Sequence, residues 1–315
     1  MLPLVGHAPK PRTCLLIYNR SSRHPLDADA RERVVEHAAK GGWILDAAES
    51  EYPGHATQLA REAALDGTPV VLVNGGDGTL NQAVNGIAGT ETALAVLPGG
   101  TANVWAKEIG VPKNPLAALD AAMRGQIRRV DLGRANGHYF LLMAGVGLDG
   151  EVIEHVSPSH KRRFGALSYL AAAVPTAIRT RPWRVRMRVE DETLDTNLYW
   201  MVIGNTRSYG GFRNITFKAQ ADDGELDLAI MRDGGLFHLA VDGLRVFLHR
   251  HDRSPNVWYT RATSVAIETP GLPVQVDGEP HGETPMVFDI VPRALNVIVP
   301  AGARTPLFST GEGEP

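Results

Sequence analysis

The sequence lacks the residue patterns that disulfide-stabilised proteins and zinc proteins require. Cys14 is the only cysteine in 315 residues, so the chain has no internal disulfide framework. The eleven histidines include no pair at the spacing of a structural zinc site. Cys14 itself lies in an apolar run, where a thiol packs as a small hydrophobe. These absences agree with a reducing cytoplasm, which is the location that we expect.

Apolar runs long enough to cross a membrane are absent as well. None approaches the roughly 18 residues that a spanning helix needs. The stretch from Met1 to Arg12 carries three prolines and no apolar core of a signal peptide. Any contact with a membrane is therefore expected to be peripheral.

A strong excess of positive charge is also missing. The formal net charge is −3, and we expect no nucleic-acid partner. The nucleophile elbow of serine hydrolases and the phosphate loop of Walker-type NTPases are absent too. With 43% hydrophobic and 21% charged residues, the chain has the composition of a globular protein with room for two domains.

The most informative stretch begins with four β-formers, Val70 to Val73, and runs into three glycines. Gly75, Gly76 and Gly78 stand between this strand and a helix predicted from Leu80 to Ile87. Backbone N–H groups at a helix start are unsatisfied and carry the positive end of the helix dipole, and glycine lets an anion approach them closely. A glycine-rich strand-to-helix turn without a ligand is the alternative, but the acid and hydroxyl inside it favour phosphate or metal chemistry.

Strands and helices alternate on both sides of this turn, which predicts a parallel α/β sheet. The predicted strands are Thr13–Tyr18, Trp43–Ala47, Val70–Val73 and Ala93–Leu97, and the helices between and after them include one capped by Asp27 and one at Pro115–Met123. A second polar glycine loop, Pro98 to Asn103, follows the last of these strands. Two such loops on adjacent parallel strands are expected to face one crevice, where open α/β sheets bind ligands.

From about Gln126 the pattern changes to mainly strands. Asn136-Gly137 is a strong hairpin signal between the first two. The strands predicted in this part are Arg129–Arg134, His138–Ala144, Trp183–Val189, Tyr199–Gly204, Leu226–Met231, Ser264–Glu268, Pro273–Val276, Met286–Ile290 and Leu295–Val299. Helical patterns interrupt them at Leu236–His249 and between His160 and Trp183. The second part of the chain is therefore expected to be a β-rich domain.

Five ordered motifs carry a resemblance to a known family. They are Gly-Gly-Asp-Gly-Thr, Leu-Pro-Gly-Gly-Thr-Ala-Asn, Gly-Asn-Thr-Arg-Ser-Tyr-Gly-Gly-Phe, Asp-Asp-Gly-Glu-Leu-Asp and Val-Asp-Gly-Glu-Pro. In this order they resemble the diacylglycerol kinase catalytic superfamily, in its soluble bacterial lipid-kinase branch. The first motif alone is shared with NAD kinases and phosphofructokinases. The resemblance spans Asn19 to Pro300.

The resemblance implies a fold and a domain division. It implies a Rossmann-like N-terminal domain with a three-layer parallel sheet that binds ATP, at residues 1–126. It also implies a C-terminal β-sandwich that carries lipid and metal groups, at 127–300, followed by a tail at 301–315. The implied active site lies in the cleft between the two domains.

Carried over position by position, the resemblance implies nucleotide-binding and metal-binding residues. The implied ATP contacts are Asn19, Ser22, Ser50, Gly75, Gly76, Asp77, Gly78, Thr79, Leu80, Asn81, Gln82 and Thr101. Arg20 and Arg23 replace the proline and glycine of the family's first loop, which leaves the conformation of that loop undetermined. Mg²⁺ is implied at Gln220, Asp223 and Glu225, where a hairpin turn is the alternative for Asp222-Asp223-Gly224.

Asp277-Gly278-Glu279 is expected to present two carboxylates at one end of the β domain. From spacing alone, a solvated turn is favoured by roughly two to one. The resemblance reverses that preference, because the family's proposed base lies in this motif. Glu279 is assigned as the proton acceptor and Asp277 as its close partner, although the sequence does not fully separate their roles.

A basic and aromatic segment is the candidate for membrane contact. Lys161, Arg162 and Arg163 precede apolar residues, and Arg181 and Trp183 follow them, which is the composition of an interfacial helix. A core-packed helix with a solvated basic cap explains the pattern equally well. The expected partners are therefore a lipid substrate and the membrane surface, with a homodimer as a further option.

The function expected from these observations is an ATP- and Mg²⁺-dependent lipid kinase acting on a diacylglycerol-like or sphingoid-like lipid. Two other functions stay open. An NAD kinase would share the first glycine loop but would leave both acidic motifs without a role. A non-catalytic lipid or nucleotide sensor is less compatible with the retention of those motifs.

Overall fold

The computed structural model describes residues 12–155, 175–177, 179–209, 213–233 and 256–309. Its first part alternates strands and helices as predicted. The elements are β1 (Arg12–Tyr18), α1 (Ala28–Lys40), β2 (Trp43–Glu49), α2 (His55–Leu65), β3 (Val70–Gly75), α3 (Asp77–Ile87), β4 (Ala93–Pro98), α4 (Val104–Glu108) and α5 (Pro115–Met123). Asp27 caps α1 as expected, since its side chain accepts a hydrogen bond from the Ala30 amide.

The strands of this part form a parallel sheet in the order β2-β1-β3-β4, with helices on both faces. Leu72 of β3 packs with Val34 of α1 and Leu119 of α5 on one face. Val71 packs with helices α2 and α3 on the other. Because both faces are covered, β3 and β4 are buried along their whole length. The prediction of a three-layer α/β domain is confirmed.

The second part contributes mainly strands within the described residues. They are β5 (Gln126–Ala135), β6 (His138–Phe140), β7 (Met143–Gly147), α6 (Leu148–His155), β8 (Trp183–Val189), β9 (Glu192–Leu198), β10 (Trp200–Gly204), β11 (Ser208–Tyr209), β12 (Arg213–Asn214), β13 (Leu226–Met231), β14 (Val257–Ala262), β15 (Ser264–Ile267), β16 (Pro273–Val276), β17 (Glu279–Glu283) and β18 (Met286–Val299).

Two sheets form the β-sandwich. One is antiparallel, in the order β14-β13-β10-β7-β16-β17. The other continues the sheet of the first part through β4-β18-β15-β8-β9, because β18 pairs in parallel with β4. Phe288 of β18 and Met187 of β8 pack between the sheets with Ile203 of β10 and Val274 of β16. The expected β-sandwich is confirmed.

Several local predictions differ from the structure. Helix α3 begins at Asp77 rather than Leu80, so the polar part of the first glycine loop forms the first helical turn. The two strands predicted near the C-terminus are one strand, β18, with an irregularity between Val291 and Leu295. The sequence pattern does not predict strands β9, β11, β12 or β14.

Other predictions hold at the level of single residues. Asn136 and Gly137 form the expected two-residue turn, with φ of 44° and 93°. Cys14 is buried, and burial raises the pKa of its thiol to about 12. The helix predicted at Leu236–His249 lies outside the described residues, as does the basic cluster at 161–163. Among the helices that the structure describes, none is long and apolar enough to cross a membrane.

Candidate active site

The two glycine loops meet at the carboxyl ends of β3 and β4. The Gly99 amide donates a hydrogen bond to the Gly75 carbonyl at 2.9 Å. A Cβ built on Gly100 would lie 2.4 Å from the Cα of Gly76, closer than real Cβ contacts come. The loops therefore touch backbone to backbone, which requires glycine at Gly100, and they form one surface as expected.

Helix α3 starts on this surface without a side-chain cap. Its N-cap residue is Gly76, which has no side chain to accept a hydrogen bond from the first turn. The N-terminus of an 11-residue helix offers N–H donors and a positive dipole end to an anion. Gly78 lies in the first turn and is not among the described glycines with positive φ. Its role is therefore to leave space rather than to permit a left-handed conformation.

Asp77 connects the two loops. Its Oδ1 accepts hydrogen bonds from the Val104 amide at 2.8 Å and, more weakly, from the Trp105 amide at 3.4 Å. It therefore caps α4, whose own N-cap residue, Asn103, makes no side-chain cap bond. Burial raises the pKa of Asp77, while the two amides oppose that shift. At least one carboxylate oxygen thus orders the second loop.

The turn after β1 lies beside the same surface. The Asn19 side-chain amide donates to Thr79 Oγ1 at 3.0 Å, which joins this turn to the first turn of α3. Arg20 in this turn pairs with Glu49, with Nε and Oε2 3.0 Å apart. The buried hydroxyl of Ser22 has no hydrogen-bond partner among the described residues. A buried hydroxyl without a protein partner is suited to a ligand.

Other predicted nucleotide residues are spread more widely around this surface. Ser50 follows β2, and its amide donates to the Tyr18 carbonyl. Thr101 is exposed beside Gly100. Leu80 is buried in the core, and Gln82 accepts a hydrogen bond from the Gly54 amide at 3.0 Å. The last two therefore support the neighbouring helices in this structure.

Asp277 is a buried anchor rather than an exposed acid. It is 8% exposed and lies with Gly278 in a two-residue hairpin turn between β16 and β17. Its carboxylate accepts hydrogen bonds from four N–H groups at 2.8–2.9 Å, namely the amides of Leu141, Leu142 and Met143 and the side chain of Asn81. Burial raises the pKa of Asp277 to about 6, and these four donors oppose the shift.

Glu279 is exposed and faces the start of α3. Its Oε1 would lie 3.2 Å from a Cβ built on Gly78. The Glu279 carboxylate of the β domain thus lies beside the first turn of helix α3 in the α/β domain. The structure separates the two acids of the motif, since Asp277 holds the turn and Glu279 faces the crevice.

Asn81 of helix α3 makes the contact between the α/β domain and the turn that contains Asp277. Its side-chain amide donates to Asp277 Oδ2 at 2.8 Å and to the Tyr139 carbonyl at 2.9 Å. Its Oδ1 lies 3.1 Å from His138 Nε2. The pKa of His138 is lowered, first by burial and then by the neighbouring His281. Asn81 therefore fixes the turn at 277–278 on helix α3.

Two of the three predicted metal residues, Asp223 and Glu225, belong to a separate acidic group around one arginine. Arg261 Nη1 lies 2.7 Å from Glu225 Oε2, and Arg261 Nη2 contacts Asp223. The buried Asp227 also faces this guanidinium and has one oxygen without a hydrogen-bond donor. Burial raises the pKa of Asp223 and, to about 6, that of Asp227.

Three carboxylates around one guanidinium leave an excess of negative charge, and their oxygens are the donors that Mg²⁺ prefers. In the part of the chain that the structure describes, however, no group of three acidic, histidine or cysteine side chains is arranged to hold a metal ion. Gln220, three residues before Asp223, is partly buried. The chemistry of the group fits a divalent cation, and the site itself stays a prediction.

This acidic group lies away from Glu279. Asp227 of β13 pairs with Gly204 of β10, and Gly204 pairs in turn with Met143 of β7. The Met143 carbonyl accepts a hydrogen bond from the Asp277 amide, which follows β16. Three strand spacings of about 4.8 Å give a separation of about 14 Å between Asp227 and Asp277. Asp227, which faces the same guanidinium as Asp223 and Glu225, is therefore separated from the turn that carries Glu279.

Comparison with known proteins identifies two family models along the chain. The diacylglycerol kinase catalytic domain matches residues 13–135, and the YegS C-terminal NAD kinase beta sandwich-like domain matches residues 143–299. A protein named "Diacylglycerol kinase" from Mycobacterium tuberculosis is 34% identical over 254 residues, covering 78% of this chain and 81% of that protein. A protein named "Probable lipid kinase YegS-like" from Pseudomonas putida is 32% identical over 295 residues, covering 91% and 95%.

A solved structure agrees with the fold. The crystal structure of a diacylglycerol kinase from Bacillus anthracis superposes with a TM-score of 0.70 over 94% of this chain and all of that one, at 19% identity. At this identity the likeness supports the architecture alone. Together with the sequence relatives, it confirms the resemblance that the five motifs indicated.

Proposed function

The chain belongs to the family of bacterial diacylglycerol kinases and YegS-like lipid kinases, and on that premise we propose that it transfers the γ-phosphoryl group of ATP to a hydroxyl of a diacylglycerol-like or sphingoid-like lipid. The enzyme is a kinase, and a lipid is its substrate class. Apolar contacts with the acyl chains select the particular lipid, and the polar motifs of the enzyme do not specify those contacts.

One observation carries the proposal. The exposed carboxylate of Glu279 lies against Gly78 in the first turn of α3. Phosphoryl transfer needs charge neutralisation, alignment and removal of a proton from the attacking hydroxyl. The N-terminus of α3 supplies donors for phosphate oxygens, and Glu279 supplies a proton acceptor beside them. A hydroxyl between the two groups can lose its proton as its oxygen attacks phosphorus.

ATP would lie along the surface made by the two glycine loops and the turn after β1. Gly75, Gly76, Gly78 and Thr79 would line the phosphates, with Asp77 ordering the loop behind them. Asn19, Ser22, Ser50 and Thr101 would contact the rest of the nucleotide. The buried hydroxyl of Ser22 supports this assignment, because it lacks a partner among the described residues.

Mg²⁺ is proposed at Asp223 and Glu225, with Gln220 beside them. When bound there, the ion would neutralise the excess negative charge of this acidic group. Since Asp227 of this group lies about 14 Å from Asp277, we assign the binding and alignment of the phosphates to the residues of the glycine loops. The proton is accepted by Glu279.

The lipid must be reached at a bilayer, so we propose peripheral membrane contact through the basic segment at 161–163, which lies outside the described residues. Arg181, which follows that segment, is exposed. A homodimer is compatible with this proposal but is not needed for it, because both proposed catalytic elements come from one chain.

The substrate assay separates the proposal from its two rivals. Purified protein is given labelled ATP and Mg²⁺ with diacylglycerol, monoacylglycerol, sphingosine, ceramide and phosphatidylglycerol in mixed micelles, and with NAD in a separate reaction. Label in a lipid supports the lipid kinase. Label in NAD alone identifies an NAD kinase. ATP binding without turnover on any acceptor identifies a sensor.

A further inference from the structure

A buried carboxylate outside the proposed site lies at the start of helix α6. Asp149 is 3% exposed. It accepts a hydrogen bond from the Gln275 side-chain amide at 2.6 Å and another from the hydroxyl of Tyr209. Burying a carboxylate is costly unless hydrogen bonds compensate, so these contacts are specific features of this fold.

Gln275 connects this carboxylate to the turn that carries Glu279. Gln275 is 1% exposed and lies on β16, two residues before Asp277. Its Oε1 accepts a hydrogen bond from the Gly278 amide at 2.8 Å, and Gly278 directly precedes Glu279. A continuous chain of hydrogen bonds therefore runs from Tyr209 through Asp149 and Gln275 to the turn.

Gly145, which has no side chain, leaves space for the hydrogen-bonded Asp149 and Gln275 side chains. A Cβ built on Gly145 of β7 would lie 1.7 Å from Asp149 Oδ2 and 2.7 Å from Gln275 Nε2. Any side chain at Gly145 would therefore displace both groups. The close approach of this strand shows that the carboxylate and the amide are packed into fixed positions.

The turn needs such support because of its place in the sheet. Strand β17 is at the edge of the six-stranded sheet, and Glu279 at its start is exposed. Asp277 anchors one side of the turn to Leu141–Met143 and Asn81. The Gly278 amide lies on the other side of the turn, where Gln275 holds it. A catalytic group must be held to within about 0.5 Å to act efficiently.

We propose that Asp149 and Gln275 are positioning residues for Glu279, acting through the Gly278 amide. The inference rests on the proposed function for its catalytic consequence, but the positioning itself is a property of the fold. Tyr209 belongs to the Gly-Asn-Thr-Arg-Ser-Tyr motif, so this motif has a role in positioning Glu279. It supports the catalytic turn through Asp149.

Gln275→Met is the direct test, because methionine keeps the volume of glutamine and removes both hydrogen bonds. We expect kcat to fall about 10- to 100-fold through loss of alignment, with KM and Kd for ATP unchanged. Asp149→Ala is expected to behave similarly. Asp149→Asn should retain most of the turnover, because its amide oxygen still accepts from Gln275 and the Tyr209 hydroxyl can rotate to accept.

Thr284→Val is the matched control on the same hairpin. Thr284 is 3% exposed, donates to the Thr269 carbonyl at 2.6 Å and accepts from the Leu272 amide at 3.0 Å. The variant loses two buried hydrogen bonds at the opposite end of the hairpin. It should lose stability while kcat stays at the wild-type value. An equal loss of kcat in both variants would overturn the inference.

Two further readouts separate this inference from the proposed function. In the Glu279→Gln background, Gln275→Met should cause no further loss of kcat, whereas multiplied losses would overturn the inference. Hydrogen exchange at the Gly278 amide needs no substrate. It should become at least tenfold faster in Gln275→Met, and unchanged exchange would also overturn the inference. If wild-type protein labels no lipid, the proposed function fails while the exchange result still decides the positioning role.

Discussion

Asp277 and Glu279 are two positions apart, and the structure gives them different environments. Asp277 is buried under four N–H donors, whereas Glu279 is exposed beside Gly78. The sequence could predict the turn and its two carboxylates. It could not separate their roles, because the Asp277–Asn81 contact joins residues 196 positions apart. Long-range hydrogen bonds of this kind leave no local pattern in a sequence.

Asp277→Asn is expected to destabilise the fold by about 2–3 kcal/mol. The carboxylate accepts from backbone amides on both oxygens, and an asparagine amide would face one set of these donors with a donor of its own. Urea unfolding of the variant and the parent measures the difference. A fully stable Asp277→Asn protein that has lost all turnover would instead make Asp277 the base.

The raised pKa of Asp149 should make the stability of the protein depend on pH. Burial raises the pKa of Asp149 to about 7, above its ordinary 3.8. The folded state therefore holds a proton that the unfolded state releases between these values, and stability decreases as pH rises through this window.

Replacing Asp149 with asparagine removes this titration. Between pH 5 and pH 8 the wild-type protein should lose roughly 2–3 kcal/mol more stability than Asp149→Asn. Unfolding free energies in urea at the two pH values provide the comparison. The same pH slope in both proteins would show that Asp149 keeps an ordinary pKa.

The elements around the site were predictable where their signals are local. Alternating apolar strands, Asp27 at a helix start and Asn136-Gly137 in a hairpin all form as expected. The start of α3 was placed too late, because glycine and aspartate in Gly-Asp-Gly disfavour a helix locally. In the fold, Asp77 bonds to α4 and Thr79 bonds to Asn19. These tertiary contacts extend the helix into the loop.

The two glycine loops should respond differently to substitution. In Gly100→Ala the new Cβ meets the backbone of Gly76 at 2.4 Å, so the loops must separate. In Gly78→Val the new side chain meets the flexible end of Glu279 at 3.2 Å. We expect both variants to lose ATP affinity by roughly tenfold or more, while only Gly100→Ala loses about 1–3 kcal/mol of stability.

Calorimetric titration with ATP and urea unfolding would measure these effects. Wild-type ATP affinity in a folded Gly78→Val protein would remove the first loop from the nucleotide site. Wild-type stability in Gly100→Ala would mean that the backbone contact between the loops is not tight in solution.

At the scale of the whole molecule, one sheet runs through both halves of the chain. Strand β18, near the C-terminus, pairs Asn296 with Ala93 of β4 and also pairs along its length with β5. The sequence indicated a change of pattern near Gln126, and β5 begins there. It could not predict the shared sheet, because strand pairing between segments 200 residues apart depends on the packing of the complete chain. The division at residues 126 and 127 stays a prediction.

The proposed membrane contact also belongs to the scale of the whole molecule. Neutralising Lys161, Arg162 and Arg163 together should weaken binding to anionic vesicles and reduce its salt dependence, because each cation near an anionic surface contributes about 1 kcal/mol. Sedimentation with vesicles at low and moderate salt measures both effects. Neutralising Arg184, Arg186 and Arg188 on strand β8 provides a control of equal charge. Identical partitioning of the 161–163 variant and the parent would exclude this segment.

The central claim is that Glu279 accepts the proton of a lipid hydroxyl beside the N-terminus of α3. The most direct measurement is transfer of labelled phosphate from ATP to lipid by wild-type protein and by Glu279→Gln, with ATP affinity measured on the same samples. Glutamine keeps the shape of the side chain but cannot accept a proton. Turnover should fall by roughly 10²–10⁴-fold with ATP affinity near the wild-type value. Full turnover in a folded Glu279→Gln protein would contradict the account.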